Sequence, residues 1–226
     1  MNTMHESATI ESEREALPCL CCAGASPCPE ARMPRWLAIA FGVLLLALGL
    51  ALASARAAEP LPGDSVYQLE LPLVDQDGRA FDFAAGRGKP RLISMFYSSC
   101  KFVCPMIVDT LRNTERALDP AQRADIDVLL VSLDPDTDTP AALKHLAEQR
   151  HIETPRWRLA RTDAAHVRRL AAVLGVQYKQ LGKADFSHST VLVLLDAQGR
   201  IVARSEKLGD ADPTFVDALK RTLASR

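Results

Sequence analysis

Apolar and polar positions alternate along the chain with two periods, and the switches between them mark out the elements. Val66 to Val74 alternates loosely, Asp77-Gly78 is a turn signal and Arg79 to Phe83 alternates again, which predicts an opening hairpin. Arg91 to Tyr97 reads as a short apolar strand and Asp127 to Leu133 as a buried one. Between them, Ser98-Ser99 can cap a helix with Pro105 in its first turn, running through Val108, Leu111 and Leu118 and ending before Asp119-Pro120. Thr139-Pro140 opens a second helix through Leu143 and Leu146. Asp163 caps a third through Val167, Leu170 and Leu174, stopped by Gly175. Thr190 to Leu195 and Ile201 to Ser205 flank Asp196-Ala197-Gln198-Gly199 as a second hairpin, and Asp212-Pro213 starts a last helix.

Strands interleaved with helices, closed by a hairpin and a helix, predict an α/β domain over residues 59–226 with a mixed sheet between helices. The order is that of a thioredoxin-like domain with an N-terminal hairpin. No internal repeat or second core is apparent. Gly86-Arg87-Gly88-Lys89-Pro90 is a loop without the spacing of a phosphate-binding loop.

Upstream, Trp36 to Ala55 carries no charge, follows Arg32 and Arg35, and ends in small residues. That is the layout of a secretory signal, and about 20 apolar residues also span a bilayer. Residues 33–58 are therefore expected to be a cleaved signal peptide or a retained membrane anchor, with Trp36 at the interface. The domain would then be exported, on the periplasmic face of the inner membrane. Residues 1–32, with Cys19, Cys21, Cys22 and Cys28, are an odd preface for an export signal. They are expected to be a disordered or untranslated leader, with Met33 as the start.

A hydrophobic fraction of 48% and a net charge of -1 fit one ordinary core and give nucleic acid no electrostatic footing. The portion after the export segment holds two cysteines, Cys100 and Cys104, which an oxidising compartment would join unless something keeps them reduced. They sit where a strand hands over to a helix, so unpaired amides and the helix dipole should depress the pKa of at least one thiol. Residues i and i+4 of a helix share a face. With His188 just before a later strand, these thiols make a Cys, Cys, His set suited to copper as Cu(I) or Cu(II). The same pair could instead exchange disulfides, or be an inert disulfide.

Peroxidase chemistry is excluded by Lys101, which stands where a peroxidatic cysteine needs Thr or Ser three residues before it. A dedicated disulfide oxidoreductase would have two residues between its thiols and a proline before the facing strand. Here there are three, and His188 takes the place of the proline. Asp134, Asp136 and Asp138 alternate like a calcium loop but lack its glycine and glutamate, and are expected to turn the chain into a helix. His145, His151 and His166 are expected to be solvated and Trp157 to be core. Met106 either packs in the core or lends a thioether to Cu(I). Asp185 and Phe186 are placed to orient or shield His188.

Phe96-Tyr97-Ser98-Ser99-Cys100-Lys101-Phe102-Val103-Cys104-Pro105, Val131-Ser132-Leu133-Asp134-Pro135-Asp136-Thr137-Asp138-Thr139-Pro140 and His188-Ser189 together resemble the Sco/SenC family over roughly residues 60 to 225. The resemblance implies a thioredoxin-fold copper metallochaperone, tethered to or exported across a membrane, that helps mature the CuA centre of cytochrome c oxidase. Cys100 and Cys104 fall on the family's thiol ligands, a redox-active pair when oxidised, and His188 on its histidine ligand. The implied partners are the oxidase subunit carrying CuA, or another copper protein, and a thiol-disulfide reductant. Lys101 and Phe102 depart from the Pro and Asp that many members carry there, adding local positive charge beside the thiols. The alternative role is that of a thiol-disulfide oxidoreductase or redox sensor.

Overall fold

The computed structural model describes Pro34 and residues 60–225 except Lys101, Phe102 and Ala184. The leader, the export segment with Trp36 apart from Pro34, and Lys101-Phe102 lie outside the described residues. Glu59–Arg226 form one compact unit. Among the described residues no helix is long and apolar enough to cross a membrane.

The opening hairpin pairs β1 (Pro72–Asp75) with β2 (Ala80–Asp82) across Leu73↔Phe81. Its turn closes because the Asp75 carboxylate accepts the N–H groups of Asp77 and Arg79 at 2.9 Å each while Gly78 takes a φ of 76°. Val66–Gln68 and Phe83–Gly86 are short 3-10 turns. The sheet centre is parallel: β3 (Arg91–Phe96) beside β4 (Asp127–Ser132), and β4 beside β5 (Trp157–Arg161). Buried on both faces, β3 and β4 read as continuous apolar runs. On the far side of β3, β8 (Leu192–Leu195) and β9 (Ile201–Ser205) add antiparallel strands, giving the order β2-β1-β5-β4-β3-β8-β9. A separate two-stranded sheet pairs β6 (Tyr178–Gly182) with β7 (Asp185–His188).

Five helices accompany these strands among the described residues: α1 (Val103–Arg116), α2 (Pro120–Ala124), α3 (Pro140–Gln149), α4 (Ala164–Leu174) and α5 (Pro213–Ala224). Thr139, Asp163 and Asp212 are N-caps as expected, and Gly175 ends α4 with a φ of 79°. The end of α1 differs from expectation: the helix stops at Arg116, short of Leu118. Ser98, at the other end, bonds Asp138 through both its N–H and its hydroxyl. Trp157 is core, and Asp134 turns the chain towards α3 by accepting the Asp138 N–H on its carbonyl at 2.9 Å.

The core lies between the sheet and its helices, with Leu92, Ile93, Leu129, Ile107, Leu111 and Leu170 fully buried. Burial of apolar area on this scale is the main stabilising contribution, at about 25 cal/mol per Å². Parallel strands β3 and β4 run off the sheet together, which sets the loop after Phe96 beside the loop after Ser132. The Leu133 N–H donates to the Phe96 carbonyl at 2.7 Å, and that edge carries the site.

Candidate metal centre

Three chain segments meet at the carboxyl end of β3. Its own continuation carries Tyr97 to Cys100, and α1 carries Cys104 in its first turn. The antiparallel register of β8 on β3 brings the third. Arg91 faces Leu195, Leu92 faces Leu194 and Ile93 faces Val193, and Ser94 Oγ donates to the Val191 carbonyl at 2.9 Å. The end of β7, just before β8, lies beside Tyr97, where the His188 ring stands edge-on to the tyrosine ring with centroids 5.6 Å apart.

The consequence is a cluster. Cys100 Sγ, Cys104 Sγ and a ring nitrogen of His188 all lie within 4.8 Å of one another, although His188 is far along the sequence. Cys104 is buried and Cys100 half-buried, and no disulfide joins them. An apolar cavity of about 420 Å³ opens beside the sulfurs, walled by Phe96, Ile107, Leu130 and Leu159.

Electrostatics follow from that burial. Desolvation pushes the Cys104 thiol well above its ordinary range, and the Tyr97 N–H, 3.5 Å from Cys104 Sγ, pulls only weakly the other way. At Cys104, then, loss of water outweighs the one amide that faces the sulfur, and this thiol is not the depressed one of the pair. Burial also holds the His188 imidazole below its usual range, so the ring is neutral at neutral pH. Its Nδ1 lies 3.1 Å from the Ser189 carbonyl, a donor position that leaves the lone pair on Nε2. That Nε2 is buried without a hydrogen-bond partner, which a folded protein tolerates where the atom has a ligand to serve. Two sulfurs and an unsatisfied imidazole nitrogen form a donor set for a soft or borderline ion.

Some of the residues singled out in the sequence meet expectation and others do not. Asp185 is exposed, and the groups that fix the His188 ring are Tyr97 and the Ser189 carbonyl. Phe186 is buried and packs its ring 5.3 Å from that of Tyr97. Met106 is 42% exposed, so it does not pack in the core. His145 and His151 are exposed, and His166 is held by its own N-cap, Asp163. Tyr97 went unnoticed in the sequence. Its hydroxyl donates to the Phe186 carbonyl at 3.0 Å. Burial together with a hydrogen bond to the Cys100 side chain pushes its phenol up to about 12. The available signal was a hydroxyl-bearing aromatic at a strand end three residues before a cysteine.

Residues 62–224 match the family model described as SCO1/SenC. The chain belongs to that family. A SCO2-like protein of Rickettsia typhi is 25% identical over 136 residues, which span 58% of this chain and 65% of the relative. The structure of Bradyrhizobium japonicum ScoI with copper bound superposes with a TM-score of 0.56 at 26% identity, over 67% of this chain and 96% of that one. Yeast Sco1, 22% identical over 69% of this chain and 96% of its own, shares the fold with a TM-score of 0.58. The thioredoxin-like layout that these SCO1/SenC relatives share is the one expected from the order of strands and helices.

Proposed function

We propose that Cys100, Cys104 and His188 hold one copper ion as cargo, and that the protein acts outside the cytoplasm as a copper chaperone in the assembly of the CuA centre of cytochrome c oxidase. The observation that carries this reading is the convergence of the two sulfurs and a His188 ring nitrogen within 4.8 Å, on a residue whose Nε2 is buried without a partner among the described residues. Two thiolates satisfy Cu(I), and the imidazole extends the set to Cu(II). Family membership and the copper bound by the Bradyrhizobium relative support the choice of ion. The uncharged stretch Trp36 to Ala55, preceded by two arginines, supports export and a periplasmic site of action at the inner membrane. Transfer to the recipient is a stepwise donor exchange: an incoming thiolate replaces the more exposed Cys100 first, and buried Cys104 leaves last. Because both sulfurs must be reduced to bind, oxidation to a Cys100–Cys104 disulfide gates loading.

The test is titration of the reduced full chain with Cu(I) and with Cu(II), beside a His188→Ala variant. Uptake of one ion by the wild type, with Cu(II) binding weakened in the variant, is expected. No uptake, or unchanged Cu(II) binding without the histidine, overturns the three-donor site.

A second reading follows from the exposure difference between the cysteines. The Cys100 thiolate attacks a partner disulfide and releases one partner thiolate. Cys104 then displaces the other, so that two electrons pass to the partner and a Cys100–Cys104 disulfide remains. Partner reduction that is unaffected by His188→Ala would favour this enzyme over the chaperone.

A further inference from the structure

The hairpin that delivers His188 is weakly attached to the rest of the fold. β6 and β7 form their own two-stranded sheet and share no ladder with the seven-stranded one. Every residue of β6 after Tyr178 is exposed, and in β7 only Phe186 is buried. Such a ribbon, isolated and polar on most of its surface, is marginally stable by itself in water. Phe186 and, in part, Tyr178 pack into the core, and one core side chain engages the ribbon by both ring and hydroxyl. Tyr97, 6% exposed, packs its ring on Phe186, donates its hydroxyl to the Phe186 carbonyl at 3.0 Å and stands edge-on to His188. Its main chain reaches the other half of the site, the N–H pointing to Cys104 Sγ at 3.5 Å.

We propose that Tyr97 is a positioning residue that holds the β6–β7 hairpin against α1, so that the imidazole and the two sulfurs form one donor set. The ring supplies the contact, and the hydroxyl fixes the hairpin's register along it. Without the hydroxyl, Phe186 still packs, but its carbonyl loses its partner and the His188 end of the ribbon samples positions away from the sulfurs. Cys104 stays where α1 holds it, while Cys100 loses its hydrogen bond to the Tyr97 side chain, an effect confined to the sulfurs that Cu(I) reads by itself. The tether itself does not depend on which ion the site holds. Its effect on binding rests on the copper reading given above.

The experiment compares the full chain with Tyr97→Phe, which keeps the ring, in two arms. In the metal-free protein, amide hydrogen exchange across residues 178–188 is expected to quicken roughly fivefold, the scale of one lost hydrogen bond, while β3 to β5 exchange as in the wild type. In the second arm, with Cu(II) alone as probe, the thiolate-to-copper charge-transfer band is expected to shift and affinity to fall by a similar factor. With Cu(I) alone, which two sulfurs satisfy, binding is expected to stay within about twofold, and a larger loss would trace the effect to the Tyr97–Cys100 hydrogen bond and overturn the role in positioning His188. Unchanged hairpin exchange overturns the tether. Quickened exchange with an unchanged Cu(II) spectrum overturns its role in positioning His188. If the wild type takes up neither ion, the copper reading fails, and the exchange arm alone decides whether Tyr97 holds the hairpin.

Discussion

The Asp138 carboxylate accepts the Ser98 N–H at 3.1 Å from a fully buried position, and the Ser98 and Ser132 hydroxyls close on it as well. One acidic side chain thus ties the loop that leads into Cys100 to the end of β4. Asp138→Ala strips three donors of their acceptor in a water-free place, so a loss of roughly 2–4 kcal/mol is expected by urea denaturation. A loss under about 0.5 kcal/mol would mean that the loop is fixed by other contacts.

Cys100 and Cys104 should differ in reactivity. Cys104 is 5% exposed and its thiol is pushed up by burial, whereas Cys100 is half-buried at the loop edge. In the reduced protein, iodoacetamide is expected to modify Cys100 roughly tenfold faster, read peptide by peptide by mass spectrometry. Equal rates would contradict the burial described for Cys104.

The last helix should respond to acid. Asp212 accepts from Ser205 Oγ at 2.7 Å and from the Thr214 and Phe215 N–H groups, and these bonds, led by the serine, hold its carboxyl below the usual range. A depressed folded pKa gives stability that is present above the ordinary carboxylate value and lost as pH falls through the folded one. Asp212→Ala should therefore cost about 1 kcal/mol at pH 7, as the loss of an N-cap does. The gap to wild type should close towards pH 2. A gap constant with pH would assign the cost to packing instead. Asp138, whose carboxyl burial raises, slopes the other way and is common to both proteins.

Gly199 has a φ of 80°, and a Cβ there would run into the Tyr67 ring and Ser65 Oγ. Both the backbone conformation and the close approach require glycine. Gly199→Ala is expected to cost roughly 1–3 kcal/mol by thermal or urea unfolding. A neutral substitution would show that the β8–β9 turn can move away from Tyr67.

Much of this architecture is written locally, and those parts were legible. β3 and β4 are apolar runs, and Thr139, Asp163 and Asp212 place a capping oxygen where three helices start, with Pro140 and Pro213 adding a pre-set φ at two of them. Cys100, Cys104 and His188 stood out by chemistry, and the fold brings them together. β5 escaped because Arg158 and Arg161 interrupt its apolar residues, and Arg158 is accommodated by lying 4.9 Å over the Phe81 ring, a contact between distant segments. The β6–β7 ribbon escaped for the opposite reason: with one buried residue in β7 it carries almost no hydrophobic period. Tyr97 and Ser98 act through Phe186 and Asp138, partners far along the sequence that only the folded chain supplies.

Because Cys104 comes from α1, Cys100 from the loop before it and His188 from a ribbon that enters just before β8, the three-atom set would also be a folding checkpoint. In an unfolded chain Cys100 and Cys104 stay neighbours in sequence, whereas His188 is far from both. Full occupancy by an ion that needs the imidazole would thus be withheld until the sheet has closed around β3.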